Sequence, residues 1–443
     1  MYNKKLFLVL VVILTAWTSC QTTKPREVAE AQNQQPDDIQ YFDKLSKYSP
    51  YKYEVLFTDP ECGVYKYTKP VKSIGGKVLT QKPEDVYCKN KYDLIRSGSR
   101  PQSPQYRLIE WINDPNTKEI FFTYLSFSNK AVKNALCEAA QKRNVKIHFV
   151  MGKDDTSRAQ ELVACKPENI EMKTRGMEGD LGYAHNKFFI VNPSSKTEFK
   201  IVFSSGNMSS GPVMHHENWN FITTSPNSHF AQSHLCAMNA EWNDKTGTSR
   251  LAYMNSIKSC RSQIQAPEEK DIKVFFVPGE GEPEVGVNDG KKTAVDYMKN
   301  GDGEFPGIRN SSRIWMACHR FFYGKMIYAL KARAQSFKAK PDMRIVCDDD
   351  TYYKANDPQY DIGDTLPAEW TNMQDLKTLG AKIKFMETNG EEHQLHHSKY
   401  LIFASGDEVN NKVKATEADD TKAVRDFKAV FTGSANLTGA GFN

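Results

Sequence analysis

The sequence predicts an α/β protein of two similar halves, each a mostly parallel or mixed sheet flanked by helices. The first observation is a His-x-Lys tripeptide followed by an apolar run, which occurs at His185 and again at His397. The second is a small-residue turn after each run, which holds Asn207 in one copy and Asn436 in the other. The third is the offset of 212 residues between the two histidines (397 − 185), the length expected of one half of a duplicated protein.

The elements around both tripeptides alternate between strand and helix, as in α/β proteins. Short apolar and β-branched runs predict the strands, and longer amphipathic stretches predict the helices. In the first half this pattern predicts strand 119–125, helix 129–143, strand 145–151 and helix 156–165. In the second half it predicts strand 313–317, helix 324–337, strand 343–347 and strand 382–386.

The N-terminus has the features of an export signal. Two lysines precede the apolar run 6–14, which is too short to span a bilayer, so residues 1–20 are predicted to be a signal peptide. Thr18-Ser19-Cys20 is typical of a bacterial lipoprotein cleavage site, after which Cys20 would carry lipid. We therefore predict an exported protein, lipid-anchored in the bacterial cell envelope, with ordinary secretion as the alternative.

Composition divides the remaining chain into five segments. Residues 21–40 are polar and predict a flexible tether. Residues 41–105 have tyrosine-rich alternation and predict a strand-rich extension, either short strands or a lid packed on the first half. The first half is predicted at 106–270, a Gly/Pro-rich loop or linker at 271–310, and the second half at 311–443.

The cysteines favour disulfides. Setting Cys20 aside from the nine leaves eight (9 − 1), an even number in a chain predicted to be exported. A metal site is less favoured because the sequence contains no Cys-x-x-Cys or comparable spacing. Eight cysteines allow on the order of 100 pairings, so the connectivity stays open.

The His-x-Lys spacing suits a phosphate. In a strand, alternate residues share a face, so the histidine and the lysine two positions later project together. A lysine can neutralise phosphoryl oxygens, a neutral imidazole can attack phosphorus, and a second imidazole can protonate the leaving oxygen. Each copy of the tripeptide supplies one imidazole.

The doubled tripeptide with its downstream asparagine turns resembles the phospholipase D superfamily of phosphodiesterases, whose motif is His-x-Lys-x4-Asp. The resemblance extends from about Arg107 to the C-terminus. The sequence departs from the motif at its aspartate, where Asn192 and Ala404 stand. The resemblance implies an active site at the interface of the halves, a phosphohistidine intermediate, and no metal or other cofactor.

The same resemblance implies roles for individual residues. His185 is assigned as the nucleophile and His397 as the acid and then the base, although the assignment could be reversed. Four side chains would hold the phosphate oxygens: Lys187, Lys399, Asn207 and Asn436. Glu217 lies where the family places a carboxylate that orients a catalytic imidazole, and Ser205 and Ser434 in the two turns would contact substrate.

Other polar residues receive simpler interpretations. Asp348-Asp349-Asp350 follows a predicted strand, and a solvated loop is favoured over a cation site. His393 and His396 are predicted to line the pocket or to be exposed. The second copy ends seven residues after Asn436 (443 − 436), so the sequence holds no counterpart of Glu217 there; either the sequence is truncated or this half ends early.

Charge bears on the substrate only weakly. The formal net charge of +5 suits an anionic phosphodiester but includes no concentrated basic run that would favour nucleic acid strongly. The predicted membrane tether favours a lipid, so the first hypothesis is a monomeric phospholipase D-like hydrolase of phospholipid headgroups. The second is an exported, metal-independent nuclease, and the third is a catalytically silent surface binding protein.

Overall fold

The structure is a computed structural model, and residues 53–443 form one compact unit in it. Among the described residues, no helix is both long and apolar enough to cross a membrane. The predicted signal peptide, tether and lipidation site Cys20 lie outside the described residues, as do Cys62, Cys88 and His393. The described residues are 51–58, 66–72, 78–81, 86–87, 104–152, 157–176, 182, 184–209, 215–244, 249–282, 291–303, 305–321, 323–335, 341–348, 368–386, 396–404 and 427–442.

The strands form two larger sheets and one hairpin. In chain order they are β1 (Lys52–Phe57), β2 (Lys66–Lys72), β3 (Val78–Gln81), β4 (Val86–Tyr87), β5 (Glu119–Tyr124), β6 (Lys146–Gly152), β7 (Ile170–Arg175), β8 (Phe188–Val191), β9 (Phe199–Ser204), β10 (Asn218–Thr224), β11 (Arg313–Cys318), β12 (Asp342–Asp348), β13 (Lys382–Met386), β14 (Tyr400–Ala404) and β15 (Phe427–Thr432).

Helices flank both sheets. They are α1 (Pro104–Asn113), α2 (Lys130–Arg143), α3 (Ser157–Cys165), α4 (His229–Asn243), α5 (Arg250–Arg261), α6 (Ala294–Asn300), α7 (Gly324–Gln335), α8 (Ala368–Thr378) and α9 (Gly439–Phe442). A 3-10 turn covers Ile308–Asn310. The predicted strands and helices of both halves are present, and the ends that are described coincide with the predictions or differ from them by one residue.

The two larger sheets share a strand order. The first is β1-β10-β9-β8-β5-β6-β7, and the second is β15-β14-β11-β12-β13-β4. In each, three successive strands run parallel (β5 to β7, and β11 to β13), and the strands on one side of them, β8 with β9 and β14 with β15, are antiparallel. The predicted fold class, α/β with two mixed sheets flanked by helices, is confirmed.

Aromatic packing fixes the first sheet. The ring of Phe122 on β5 stacks on Phe149 of β6 and on Phe189 of β8, with centroids 4.6 and 5.6 Å apart. Burying side chains of this size stabilises the fold by about 1.5–3 kcal/mol each. On the opposite face Phe121 meets Trp242 of α4 edge to face. The strand ends that carry the motifs therefore project from a rigid, two-sided core.

The N-terminal extension contributes to both sheets. β1 lies beside β10 in the first sheet, but β4 pairs in parallel with β13 of the second. The prediction that this extension packs on the first half is therefore wrong for β4. A two-residue strand carries too little periodicity to reveal its partner from sequence.

The predicted linker 271–310 is not wholly loop. It contains α6, whose N-terminus is closed by a capping box between Thr293 and Asp296. Val295 and Met298 of this helix are buried in the core of the second sheet. The Gly/Pro-rich composition of the segment concealed this short helix.

The described cysteines only partly follow the expectation. Cys137–Cys165 and Cys236–Cys260 are disulfides. Cys318 and Cys347 are buried thiols whose sulfurs lie 3.1 Å apart, opposite each other on neighbouring parallel strands. The expected preference for disulfides over free thiols is therefore wrong for this pair.

Candidate active site

Both His-x-Lys tripeptides lie at the start of an antiparallel strand. His185-Asn186-Lys187 immediately precedes β8, and His397-Ser398-Lys399 immediately precedes β14. Because β9 runs antiparallel to β8, its end returns to the same edge, and Ser204 donates its backbone N–H to the Lys187 carbonyl at 3.1 Å. Each asparagine turn follows the returning strand, so the motif and its turn share one sheet edge.

Glu217 of the first half holds His397 of the second. Nδ1 of His397 lies 3.0 Å from each carboxylate oxygen of Glu217. Ser205 donates its hydroxyl to the same carboxylate at 2.6 Å, and His215 Nδ1 approaches it at 3.3 Å. The carboxylate is fully buried. The predicted orienting residue therefore contacts an imidazole of the other half.

Thr58, from the N-terminal extension, fixes the backbone of this carboxylate. Its hydroxyl accepts the N–H of Glu217 at 2.8 Å and donates to the carbonyl of His215. The backbone N–H of Thr58 donates to the Glu217 carbonyl at 3.1 Å. Thr58, which directly follows β1, thus allows the N-terminal extension to set the position of Glu217.

The charge state of Glu217 is set by its neighbours. Burial alone would raise its pKa, but His397, His215 and Lys399 together outweigh that effect and hold the pKa well below its ordinary value. In return, Glu217 opposes the fall in the pKa of His397, which burial nevertheless lowers to about 4. With no ligand bound, the pair is an ionised carboxylate beside a neutral imidazole.

Among the described residues, no carboxylate contacts His185 in this way. His185 hydrogen-bonds the backbone of Ser434 in the turn after β15. Burial, and then the cations Lys187 and Lys399, hold its pKa well below the ordinary value. The Lys187 ammonium lies 3.1 Å from the ring nitrogens of His185. This imidazole is therefore neutral with a lone pair available, as a nucleophile requires.

The two motif lysines are almost completely buried, each 2% exposed. Lys399 donates to the carbonyls of His397 at 2.8 Å and Ser205 at 3.4 Å, the second of which belongs to the other half. Burial lowers the pKa of Lys399 to about 7, and burial together with Lys399 holds the pKa of Lys187 well below its usual range. Two enclosed ammonium groups make a site that suits an anion.

The predicted phosphate-holding asparagines have unsatisfied oxygens. Within the described part of the chain, the side-chain carbonyl oxygens of Asn207 and Asn436 are enclosed and have no hydrogen-bond partner. Buried amides are normally paired, so both side chains are set up to bond something else. No direct bond joins either amide to the motif histidines among the described contacts.

The middle residue of each motif is an anchor. Asn186 donates its amide to Glu241 of α4 and, at 3.1 Å, to the hydroxyl of Tyr253 in α5. Ser398 donates its hydroxyl to the carbonyl of His216 at 3.0 Å. These bonds tie the two His-x-Lys tripeptides to buried structure and so limit the movement of both histidines.

The positions of the missing motif aspartates lie away from this site. Asn192 is at the far end of β8 from His185, where it accepts the backbone N–H of Lys118 at 2.7 Å and of Glu119 at 3.0 Å. Its amide donates to the Asn116 carbonyl at 2.9 Å. Asn192 therefore ties the loop before β5 to the end of β8, a structural task.

Two of the simpler interpretations change. Asp348 is fully buried, and its carboxylate accepts the backbone N–H of His396 at 2.6 Å. The solvated-loop interpretation is therefore wrong for Asp348. His396 is buried against His216, with ring centroids 5.9 Å apart. The sequence predicts that His396 either lines the pocket or is exposed, and its burial excludes exposure.

Sequence reasoning missed His319 and Thr58. His319 follows β11 directly, and its ring centroid lies 4.8 Å from that of His397. One signal was available, because polar residues at the carboxyl ends of parallel strands gather at sites in α/β proteins. Thr58 gave no signal, since its partner Glu217 is 159 residues away.

Comparison with known proteins yields structural neighbours only. No protein-family model matches the sequence, and no curated protein matches it. The structure is similar to that of Nuc, a phospholipase D family member from Salmonella typhimurium, at 17% identity over 44% of this chain and 95% of that chain, with a TM-score of 0.28.

Two further solved structures cover more of the chain. Phosphatidylserine synthase from Haemophilus influenzae is 11% identical over 74% of this chain and 85% of its own, with a TM-score of 0.42. Yeast tyrosyl-DNA phosphodiesterase is 10% identical over 76% and 82%, with a TM-score of 0.41. At these values the likeness does not carry a functional argument, which has to come from the site.

Proposed function

We propose that this chain is a phosphodiesterase that works through a phosphohistidine intermediate. The observation that carries the proposal is the pairing of Glu217 with Nδ1 of His397, in a site where His185 has no carboxylate partner among the described contacts. Two imidazoles in different environments can take different roles, one as nucleophile and one as acid and base.

The environments favour His185 as the nucleophile. In the first step a ring nitrogen of His185 attacks phosphorus, the bond from phosphorus to the leaving oxygen breaks, and that oxygen takes its electron pair and a proton from His397. In the second step water attacks phosphorus and gives a proton to His397, and the phosphorus–nitrogen bond breaks with its electron pair returning to His185. Glu217 stabilises the imidazolium whenever His397 holds the proton.

The lysines would supply the charge for this reaction. A phosphodiester anion between Lys187 and Lys399 would offset their mutual repulsion and raise their pKa values. The same negative charge would favour the protonated form of His397, so the acid becomes charged when substrate binds. The enclosed amides of Asn207 and Asn436 would add hydrogen bonds to the phosphoryl oxygens.

We further propose a phospholipid as the substrate. Phe57 is exposed and meets Tyr400, the residue after Lys399, edge to face at 6.0 Å. Val430 is also exposed, two positions before Thr432, whose hydroxyl accepts the amide of Asn218 at 2.7 Å. Apolar side chains beside the site suit contact with acyl chains, and proposed lipidation of Cys20 would keep the enzyme at a membrane surface.

The test is turnover of bis(p-nitrophenyl) phosphate in excess chelator by wild type, His185→Ala and His397→Ala. The matched control is His148→Ala, since His148 lies on β6 with a half-exposed side chain. We expect both motif variants to lose activity while the control retains it. Activity retained in either motif variant would exclude this site, and absence of wild-type turnover would exclude the enzyme and favour a binding protein.

The substrate class needs a second assay with the same variants. Release of headgroup alcohol from phosphatidylcholine or phosphatidylethanolamine vesicles would support the phospholipid. Degradation of DNA in chelator, with no action on vesicles, would support the nuclease instead.

A further inference from the structure

His319 enters the site from a position that has no polar counterpart in the first sheet. In the antiparallel register Ala317 of β11 is opposite Tyr400 of β14, so His319 lies beside the start of the second motif. The matched pairings of β5 with β6 and of β11 with β12 make Leu125 its equivalent. An apolar residue suffices at this position in the first half.

The imidazole of His319 is enclosed and unpaired. Both ring nitrogens are buried and have no hydrogen-bond partner within the described residues. An unpaired buried polar group destabilises the folded state, so native structures rarely keep one without a ligand or water to satisfy it. The ring centroid is 4.8 Å from that of His397, which places the imidazole beside the proposed acid of the candidate active site.

Charge limits what this imidazole can bind. Burial, and then the proximity of His397, Lys399 and Arg320, hold the pKa of His319 well below its ordinary value. A neutral imidazole offers one donor and one acceptor. It therefore suits a hydroxyl group or a water molecule, whereas the anionic phosphoryl oxygens are better matched by the motif lysines.

The location favours the leaving-group side of the reaction. His319 adjoins His397, the proposed acid, and its charged neighbours also include Lys399 and Glu217. In an in-line mechanism the leaving alcohol and the attacking water occupy the same place in the two steps. A group beside His397 can therefore contact each of them in turn.

We propose that His319 is a further catalytic residue, which hydrogen-bonds first the leaving oxygen of the diester and then the attacking water. This rests on the proposed function. His397 remains the group that gives and takes the proton. His319 accepts a hydrogen bond from the water's second O–H while the first proton passes to His397, so the water's lone pair is directed at phosphorus and no further proton or electron acceptor is needed.

The experiment compares His319→Leu and His319→Gln in pre-steady-state turnover of bis(p-nitrophenyl) phosphate. Leucine is chosen because Leu125 occupies the equivalent position in the first half, and glutamine keeps a donor and an acceptor. The p-nitrophenolate ion leaves without needing much protonation, so formation of the phosphoenzyme should change little. Hydrolysis of the phosphoenzyme should slow about tenfold or more in His319→Leu.

The expected signature is a burst of about one p-nitrophenolate per active site in His319→Leu, followed by a slowed steady state. His319→Gln should recover part of the steady-state rate, and His148→Leu should behave as wild type. A merely structural role would reduce both steps and would not be rescued by glutamine.

Three outcomes would overturn the inference. Wild-type kinetics in His319→Leu would do so and would leave the proposed function standing if His185→Ala and His397→Ala are inactive. Equal losses in the Leu and Gln variants without a burst would identify a structural role. No wild-type turnover would overturn the inference together with the proposed function.

Discussion

Glu217 and His397 come from opposite halves of the chain, yet Nδ1 of the imidazole lies 3.0 Å from both oxygens of the carboxylate. The acid of the proposed reaction is thus oriented by a residue 180 positions earlier. The reverse contact is made by His185, which bonds the backbone of Ser434. Each half supplies one histidine and fixes the histidine of the other, so the site requires both halves to be assembled.

Replacing Glu217 by glutamine should lower kcat about 100- to 1,000-fold with little change in KM, because an amide cannot stabilise the imidazolium of His397. Since Glu217 raises the pKa of His397, its loss should lower that pKa further and move the pH optimum towards acid. Kinetics of bis(p-nitrophenyl) phosphate turnover at several pH values measure both effects. Glu171→Gln, at an exposed position on β7, is the control. An unchanged kcat in Glu217→Gln would contradict the role of Glu217 in stabilising protonated His397.

Lys399 should make anion binding depend on pH. Its pKa is lowered to about 7 by burial, and a bound anion favours the charged form, so affinity should be highest below pH 7 and fall above it. Sulfate is the probe because it does not titrate in this range. Calorimetry between pH 6 and 9 should show the Kd rising up to about tenfold per unit above pH 7.

The control for this prediction is Lys399→Met. The variant should bind sulfate weakly, with a much smaller pH dependence. A wild-type affinity that is constant from pH 6 to pH 9 would show that Lys399 does not titrate in the site as its burial implies.

Much of the fold could be predicted because its signals are local. Phe188 to Val191 and Tyr400 to Ala404 are short apolar runs directly behind the two motifs, and both are strands. Strand direction then brings Asn207 back to the edge where His185 lies. Periodicity and turn composition contain this information without knowledge of distant contacts.

The features that escaped prediction depend on contacts between distant residues. Thr58 bonds Glu217, β4 joins the second sheet, and His319 meets His397 across 78 positions (397 − 319). A tyrosine-rich strand looks the same in sequence whichever sheet it joins, and the position of His319 after a strand indicates a site without naming the residue that it contacts. Tertiary packing alone decides between them.

Asn192 occupies the position of the aspartate in the motif that the sequence resembles, and replacing it by aspartate should not raise activity. Asn192→Asp keeps the acceptor for Lys118 and Glu119 but loses the donor to the Asn116 carbonyl, so unfolding free energy should fall by about 1 kcal/mol. Turnover and denaturant unfolding measure the two effects. Asn227→Ala, at an exposed turn position, should change stability by less than about 0.5 kcal/mol.

An increase in turnover in Asn192→Asp would contradict this prediction. It would mean that the far end of β8 influences His185, and that the motif substitution weakens catalysis after all.

His234, on α4, should contribute to acid lability. Its imidazole is buried among phenylalanines, and its ring centroid lies 4.4 Å from that of Phe230. Burial lowers the pKa of His234 from 6.5 to about 4. As pH falls, His234 therefore binds a proton near pH 6.5 in the unfolded chain but only near pH 4 in the folded chain. The free energy of unfolding is then unaffected by this group above pH 6.5 and decreases as pH falls below it. The expected loss from this group is about 3 kcal/mol by pH 4.

The test is denaturant unfolding of wild type and His234→Leu at pH values from 7 to 4. The variant loses the hydrogen bond to the Phe230 carbonyl and should be somewhat less stable at pH 7, but its stability should fall less steeply with acid. Val202→Ala, a cavity-forming change at a fully buried position without a titratable group, should keep the wild-type slope. Burial also holds the pKa values of His185, His319 and His396 below the ordinary value, so the stability of His234→Leu should still decrease somewhat with falling pH. If stability decreased equally steeply with pH in all three proteins, His234 would not take up a proton on unfolding as its burial requires.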